Sequence, residues 1–293
     1  MLVFGDSLSD VGNAWRLWGD GAVPSPPHWH GRRCDGPLWV EHLAAALDLP
    51  PIQPSLAGGG GHACGGARSG VGVSPGRGAP NLLEQIRRWQ GSLADRPPAA
   101  GELVVLRAGA NDYLDAGPDQ VPQVGEGVNG HLLEAVELLA AAGLRRFLVP
   151  TEMPWGSSPI ERPGLGPAER VALNRAIAAQ NQALAEGLRR LAQRRGLTIT
   201  QPDFHGLLQR VGADPARFGF AEIQRPALAE PLRPQAAPSA AGHLWWDGWG
   251  HLTSAFHGLL AAEAQRALCG RSSASPAFTS SACSITRSVR ASK

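Results

Sequence analysis

A serine at position 7 lies in the run Gly5-Asp6-Ser7-Leu8, directly after the apolar residues Leu2-Val3-Phe4. A reactive group at the end of such a run stands where an open α/β sheet binds ligands, in the crevice beyond the carboxyl ends of its strands. A serine hydroxyl is a poor nucleophile until a nearby base takes its proton. The base is usually a histidine, held in the correct tautomer by a carboxylate. The segment Trp246-Asp247-Gly248-Trp249-Gly250-His251-Leu252-Thr253 offers both groups. Asp247 and His251 are close enough in sequence for one tight loop to present them. His251 could then reach Ser7 across the sheet edge, with Asp247 bonded to its other ring nitrogen.

A tetrahedral intermediate develops negative charge and needs fixed donors. Gly109-Ala110-Asn111-Asp112 follows the apolar run Leu103–Leu106, so the Asn111 amide can project above the sheet. Gly65-Gly66-Ala67-Arg68 lies in a glycine-rich loop, where a bare backbone N–H can approach a substrate closely. The N–H of Ser7 is a third candidate. Plainer roles suit other residues. Asp10 reads as a helix cap and His257 as structural. The tryptophans at 15, 18, 245, 246 and 249 read as packing residues more readily than as walls of an acyl or sugar pocket. Gly58–Gly61 is not followed by Gly-Lys-Ser/Thr, so it is a poor phosphate loop. The pairs Arg32-Arg33, Arg87-Arg88 and Arg194-Arg195 read as solvated faces.

These groups need elements to position them. Apolar β-type runs recur at Leu2–Phe4, Leu103–Leu106, Phe147–Val149 and Leu197–Thr200, with helical stretches between them. The spacing predicts helices over Trp39–Leu47, Leu82–Leu93, His131–Ala142, Ala168–Arg195 and Ser254–Leu268. Pro167 suits a helix start, Gly143 and Gly196 the stops. Alternating strands and helices predict an α/β fold with a parallel sheet covered on both faces. The stretches 19–37, 54–80 and 150–166 are long for simple connections and more plausibly build a site.

Composition removes several function classes. A net charge of +2 gives no electrostatic case for nucleic acid as a partner. The only lysine is Lys293, which excludes a Walker loop and an internal Schiff base. Cys34, Cys64, Cys269 and Cys283 show no CxxC spacing and read as free thiols, not as a metal site or disulfide framework.

Taken together, the motifs resemble those of the GDSL esterase/lipase family, the SGNH hydrolases. Gly5-Asp6-Ser7-Leu8-Ser9-Asp10 with Gly12-Asn13 is similar to the family's first block. Gly65-Gly66-Ala67-Arg68 resembles the second, Gly109-Ala110-Asn111-Asp112 the third, and Asp247 with His251-Leu252-Thr253 the last. Pro202-Asp203-Phe204 and Phe218-Gly219-Phe220 match further recurrent segments. The resemblance covers roughly residues 2 to 268. It implies Ser7 as nucleophile, His251 as base and Asp247 as its partner. It implies an oxyanion hole made by the N–H groups of Ser7 and Gly66 and the side chain of Asn111, with Gly65 a competitor to Gly66. It also implies a flavodoxin-like, three-layer α/β/α sandwich, a carboxylic ester as small-molecule or lipid substrate, and no cofactor or metal. One departure stands out: the family's DxxH is DxxxH here, and the added residue either is absorbed by Gly248 and Gly250 or misplaces Asp247.

The expected organisation is one hydrolase domain over 1–269 and a low-complexity, disordered tail over 270–293. No apolar run is long enough to span a bilayer. The chain as given reads as cytoplasmic; a true start lying upstream would leave room for secretion or a periplasmic address. The expected activity is ester hydrolysis. The rivals are an acyltransferase using the same acyl-enzyme, and a non-catalytic binding protein with a broken triad.

Overall fold

The computed structural model describes residues 1–21, 23–93, 98–99, 101–117, 120–161, 164–228 and 239–270. Apart from Gly270, the expected tail lies outside the described residues.

Four strands, β1 (Leu2–Gly5), β2 (Leu103–Arg107), β3 (Arg146–Leu148) and β4 (Thr198–Thr200), form one parallel sheet in the order β1-β2-β3-β4. Val3 pairs with Val105, Val104 with Phe147, and Phe147 with Ile199. Strands β1 to β3 are largely apolar on both faces because both are covered, whereas edge strand β4, Thr-Ile-Thr, is only partly buried. Val3, Val105 and Leu148 belong to one core; Phe4, Val104, Leu106 and Phe147 belong to the other.

Eight α-helices occur among the described residues: α1 (Asn13–Trp18), α2 (Trp39–Ala46), α3 (Leu82–Ser92), α4 (Ala110–Asp115), α5 (Val121–Ala141), α6 (Pro167–Arg195), α7 (Phe204–Ala213) and α8 (Ser254–Leu268). Residues of α2, α7 and α8 fill the first core, among them Trp39, Phe204 and Phe256. Leu82 of α3, Val136 of α5 and Leu188 of α6 fill the second. The result is the expected three-layer α/β/α arrangement.

A further segment runs along the outer edge of β1. Val3 N donates to Gly60 O, His62 N to Val3 O and Cys64 N to Gly5 O. Counting that segment as a strand gives the spatial order 2-1-3-4-5, the flavodoxin-like one, whose ligand crevice opens at the switch point between the first strand and its inner neighbour. Here that point lies beyond the ends of β1 and β2. The glycine run serves this edge: a Cβ on Gly60 would stand 2.6 Å from Met1 O.

Several expectations need adjustment. Helix α5 begins at Val121, not His131. Glycine costs about 1 kcal/mol per helical position, but Val121 and Val128 are buried. Gly125 also allows close packing, since a Cβ there would lie 2.8 Å from the Tyr113 hydroxyl. Helices α1 and α4 are six residues each, too short to show a period. Cys34 and Cys64 are free and buried, whereas Cys269 is disulfide-bonded. This corrects the reading of Cys269 as a free thiol: a missing CxxC spacing does not exclude a bridge between cysteines at other spacings. Cys283 lies outside the described residues.

Candidate active site

Ser7 follows β1 by two residues, in the turn at the crevice. Gly5 makes that turn feasible: its φ is +151°, and a Cβ would collide with the Arg107 carbonyl oxygen. Gln85 of α3 grips the same glycine, accepting from its N–H at 2.9 Å and donating to its oxygen at 2.8 Å. Asp6 fixes the next step, its Oδ1 accepting from Leu8 N at 3.0 Å.

The loop before α8 brings the far end of the chain to this turn. Trp246 N donates to His251 O at 2.7 Å, and Trp245 bridges Leu252 in antiparallel fashion. Between these ties the chain bulges. Asp247 Oδ1 accepts from Trp249 N at 3.0 Å and His251 N at 3.2 Å. Gly250 takes a φ of +83° and Trp249 is pushed out to 63% exposure. The added residue of DxxxH is therefore absorbed in the bulge. Asp247 Oδ2 lies 2.7 Å from His251 Nδ1, and His251 Nε2 lies 2.9 Å from Ser7 Oγ. Burial alone would raise the Asp247 carboxyl; the adjacent His251 and its hydrogen bonds hold it below the ordinary carboxylate range.

The glycine-rich loop passes beside Ser7: a Cβ on Gly65 would lie 3.8 Å from Ser7 Cβ. Asn111 lies in the first turn of α4 and donates one amide hydrogen to Ala67 O at 2.9 Å, which ties it to the glycine-rich loop. Gly65 and Gly66 differ in one respect. Gly65 N donates to Asp10 Oδ2 at 2.8 Å, so its hydrogen is committed. Gly66 N and Ser7 N have no acceptor among the described residues. Gly12 takes the N-cap position of α1; Asp10, two residues before it, serves the helix start through its carboxylate, which also accepts from Asn13 N and Ala14 N. Asp112 Oδ1 accepts from Ser69 Oγ at 2.8 Å, and the same hydroxyl lies 2.9 Å from His131 Nδ1. A shallow depression beside Ser7 is lined by Asp10, Ala14, Val23, Gly31, Arg33 and Gly65.

Other residues named from the sequence take structural places. His257 is fully buried; its Nδ1 accepts from Trp39 N at 3.1 Å at the start of α2, and burial holds its pKa well below the ordinary value. Trp245 and Trp246 are buried. Trp246 Nε1 donates to His28 Nδ1 at 2.9 Å. Arg32 and Arg33 are not a solvated face. Arg32 pairs with Glu41 at 2.8 Å while 16% exposed, and Arg33 lines the depression beside Ser7.

Sequence reasoning missed two groups beneath the nucleophile. Arg107, at the end of β2, is 2% exposed and pairs with both Asp6, at 2.6 Å, and Glu152, at 2.7 Å. An arginine ending an apolar run reads as a solvated strand end. Only the neighbouring Asp in Gly5-Asp6-Ser7 hinted at a partner.

A family model described as GDSL-like Lipase/Acylhydrolase matches residues 1–264. The chain is 26% identical over 278 residues to the thermolabile hemolysin of Vibrio parahaemolyticus, covering 88% of this chain and 60% of that protein. It is 26% identical over 229 residues to a phosphatidylcholine-sterol acyltransferase of Aeromonas hydrophila, covering 76% of this chain and 64% of that protein. The chain thus spans less than two thirds of the length of either relative. Among solved structures, an acetylxylan esterase of Geobacillus stearothermophilus covers 90% of this chain and 91% of its own, at 14% identity and a TM-score of 0.45.

Proposed function

The chain belongs to the GDSL-like lipase/acylhydrolase family, and from that premise we propose that it is a serine esterase hydrolysing carboxylic esters through an acyl-enzyme on Ser7. The observation that carries the reading is the line of hydrogen bonds from Asp247 through His251 to Ser7, at 2.7 and 2.9 Å. His251 Nε2 takes the hydroxyl proton as Ser7 Oγ attacks the ester carbonyl. Asp247 keeps the other ring nitrogen protonated and stabilises the imidazolium that forms. The oxyanion is held by Ser7 N–H, Gly66 N–H and the second amide hydrogen of Asn111. His251 then protonates the departing alcohol, and a water activated by the same ring releases the acid.

Ser7→Ala should abolish turnover of short p-nitrophenyl esters while circular dichroism and melting stay unchanged. Undiminished turnover by that variant would end the assignment. The likeness to the Aeromonas acyltransferase favours one second reading, transfer of the acyl group to an alcohol. Hydrolysis run with glycerol present separates the two: acyl-glycerol outweighing free acid supports transfer, and free acid alone supports the esterase. Among the described residues no helix is long and apolar enough to cross a membrane.

A further inference from the structure

We propose that Arg107 is a positioning residue for the acyl-transfer chemistry, holding the turn of Ser7 and the backbone that carries Asn111 in one fixed relation; this rests on the esterase reading above. Its guanidinium donates through Nη1 to both oxygens of Asp6, at 2.7 and 2.6 Å, and through Nη2 to Glu152 Oε1 at 2.7 Å. Each contact leads to a different wall of the crevice. Asp6 immediately precedes Ser7, and its carboxylate closes the nucleophile's turn through Leu8 N. Glu152, in the segment after β3, also accepts from Met153 N at 3.0 Å and Trp155 Nε1 at 2.9 Å. It also lies beside the third wall, close enough that a Cβ on Gly109 would stand 3.2 Å from Glu152 Oε2. Gly109 is the residue from which α4, with Asn111, departs. The Trp155 ring covers the guanidinium, 5.6 Å from Cζ to centroid. One planar group therefore ties the end of β2 to the segments that follow β1 and β3.

Stability gives little reason for the arrangement. Buried ion pairs and triads can often be replaced by apolar residues of equal volume at no loss of stability. What a rigid fork supplies is geometry: two charge-assisted contacts held in fixed, coplanar directions, which the rotatable donors of a compact ammonium do not fix. Oxyanion donors work only when aimed at the intermediate beforehand, and a misplacement of 1 Å can cost about a hundredfold in rate. Arg107 touches no substrate and acts through Asp6 and Glu152.

The test compares Arg107→Lys and Glu152→Gln with the parent on a short p-nitrophenyl ester, with active serines counted by a fluorophosphonate taken to completion. A brace that sets geometry lowers kcat per titrated serine about 10- to 100-fold in Arg107→Lys and about fivefold in Glu152→Gln, with KM little changed. Affinity for an arylboronic acid, which forms a tetrahedral adduct on serine, falls in parallel. Unchanged kcat per titrated serine in both variants, with only a lower melting temperature, would overturn the positioning role. Should Arg107→Lys fail to fold, Glu152→Gln decides alone, since it keeps the Asp6 contact and the side-chain volume. Ser7→Ala separates the levels. Full turnover by that variant removes the esterase reading and this role with it; a dead Ser7→Ala beside fully active brace variants removes only the role.

Discussion

Asn111 has two amide hydrogens, and one already goes to Ala67 O. In the mechanism proposed above the other serves the oxyanion, so the side chain would join two tasks: pinning the glycine-rich loop and supplying charge stabilisation. Asn111→Ala should lower kcat by about 10²- to 10³-fold with little change in KM, the usual loss for one oxyanion donor. The lost hydrogen bond should also cost on the order of 1 kcal/mol of stability. Asn111→Asp should be worse, because an anion would then face the developing charge. Steady-state kinetics on a short ester check both; a loss below about fivefold in each would remove Asn111 from the oxyanion hole. At this scale the sequence stops at an ambiguity between Gly65 and Gly66. Their types and neighbours are alike. What separates them is a carboxylate 55 positions away, Asp10, which takes the Gly65 hydrogen.

Among the elements, the bulge from Asp247 to His251 is the one whose geometry the spacing alone could not decide. Two glycines and an extruded tryptophan absorb the additional residue, and only Gly250 is strictly required. Its φ is +83° and a Cβ would meet Ile160 Cδ1 at 2.8 Å. Gly250→Ala should therefore cost on the order of 1–3 kcal/mol and reduce kcat by loosening the Asp247–His251 contact. Trp249→Ala, at a position 63% exposed, should stay within about 0.5 kcal/mol of the parent. Urea unfolding of the two variants checks the pair; equal midpoints would mean the bulge tolerates a side chain at Gly250. Longer elements were easier to read. The span of α8 was legible in full, because its period is sustained and its last helical residue precedes a break. Helix α6 was legible through Pro167 and Gly196, the latter closing it at φ +63°. The start of α5 was not, because intrinsic propensity argues against glycines that tertiary packing accepts.

For the whole molecule, the decisive feature is that the two ends of the sequence are stitched together around the crevice. Ser254 N donates to Asp35 Oδ1 at 2.7 Å, Trp39 N to His257 Nδ1 at 3.1 Å, and Trp246 Nε1 to His28 Nδ1 at 2.9 Å. Motif order hinted that the ends meet, but the brace of Asp6, Arg107 and Glu152 left no trace in it, since Arg107 ends β2 while Asp6 and Glu152 lie in the segments after β1 and β3, with no shared spacing. The stitching also makes the fold sensitive to acid. Burial lowers the His28 pKa to about 4, Arg33 adding to the effect and Asp247 opposing it. Protonation would turn the acceptor of the Trp246 indole hydrogen into a second donor. The folded value lies below the ordinary one of 6.5, so between those limits the unfolded chain binds the additional proton. Stability from this group is fully present above pH 6.5 and is lost as the pH falls toward 4, by up to about 3 kcal/mol. Half-buried His62, also lowered to about 4, contributes in the same window. His28→Gln keeps an acceptor for the indole without a titrating ring, so its stability should fall less steeply across this range than the parent's. Urea unfolding at half-unit pH steps from 4 to 7.5 measures both slopes, and identical slopes would show that His28 does not couple folding to protons.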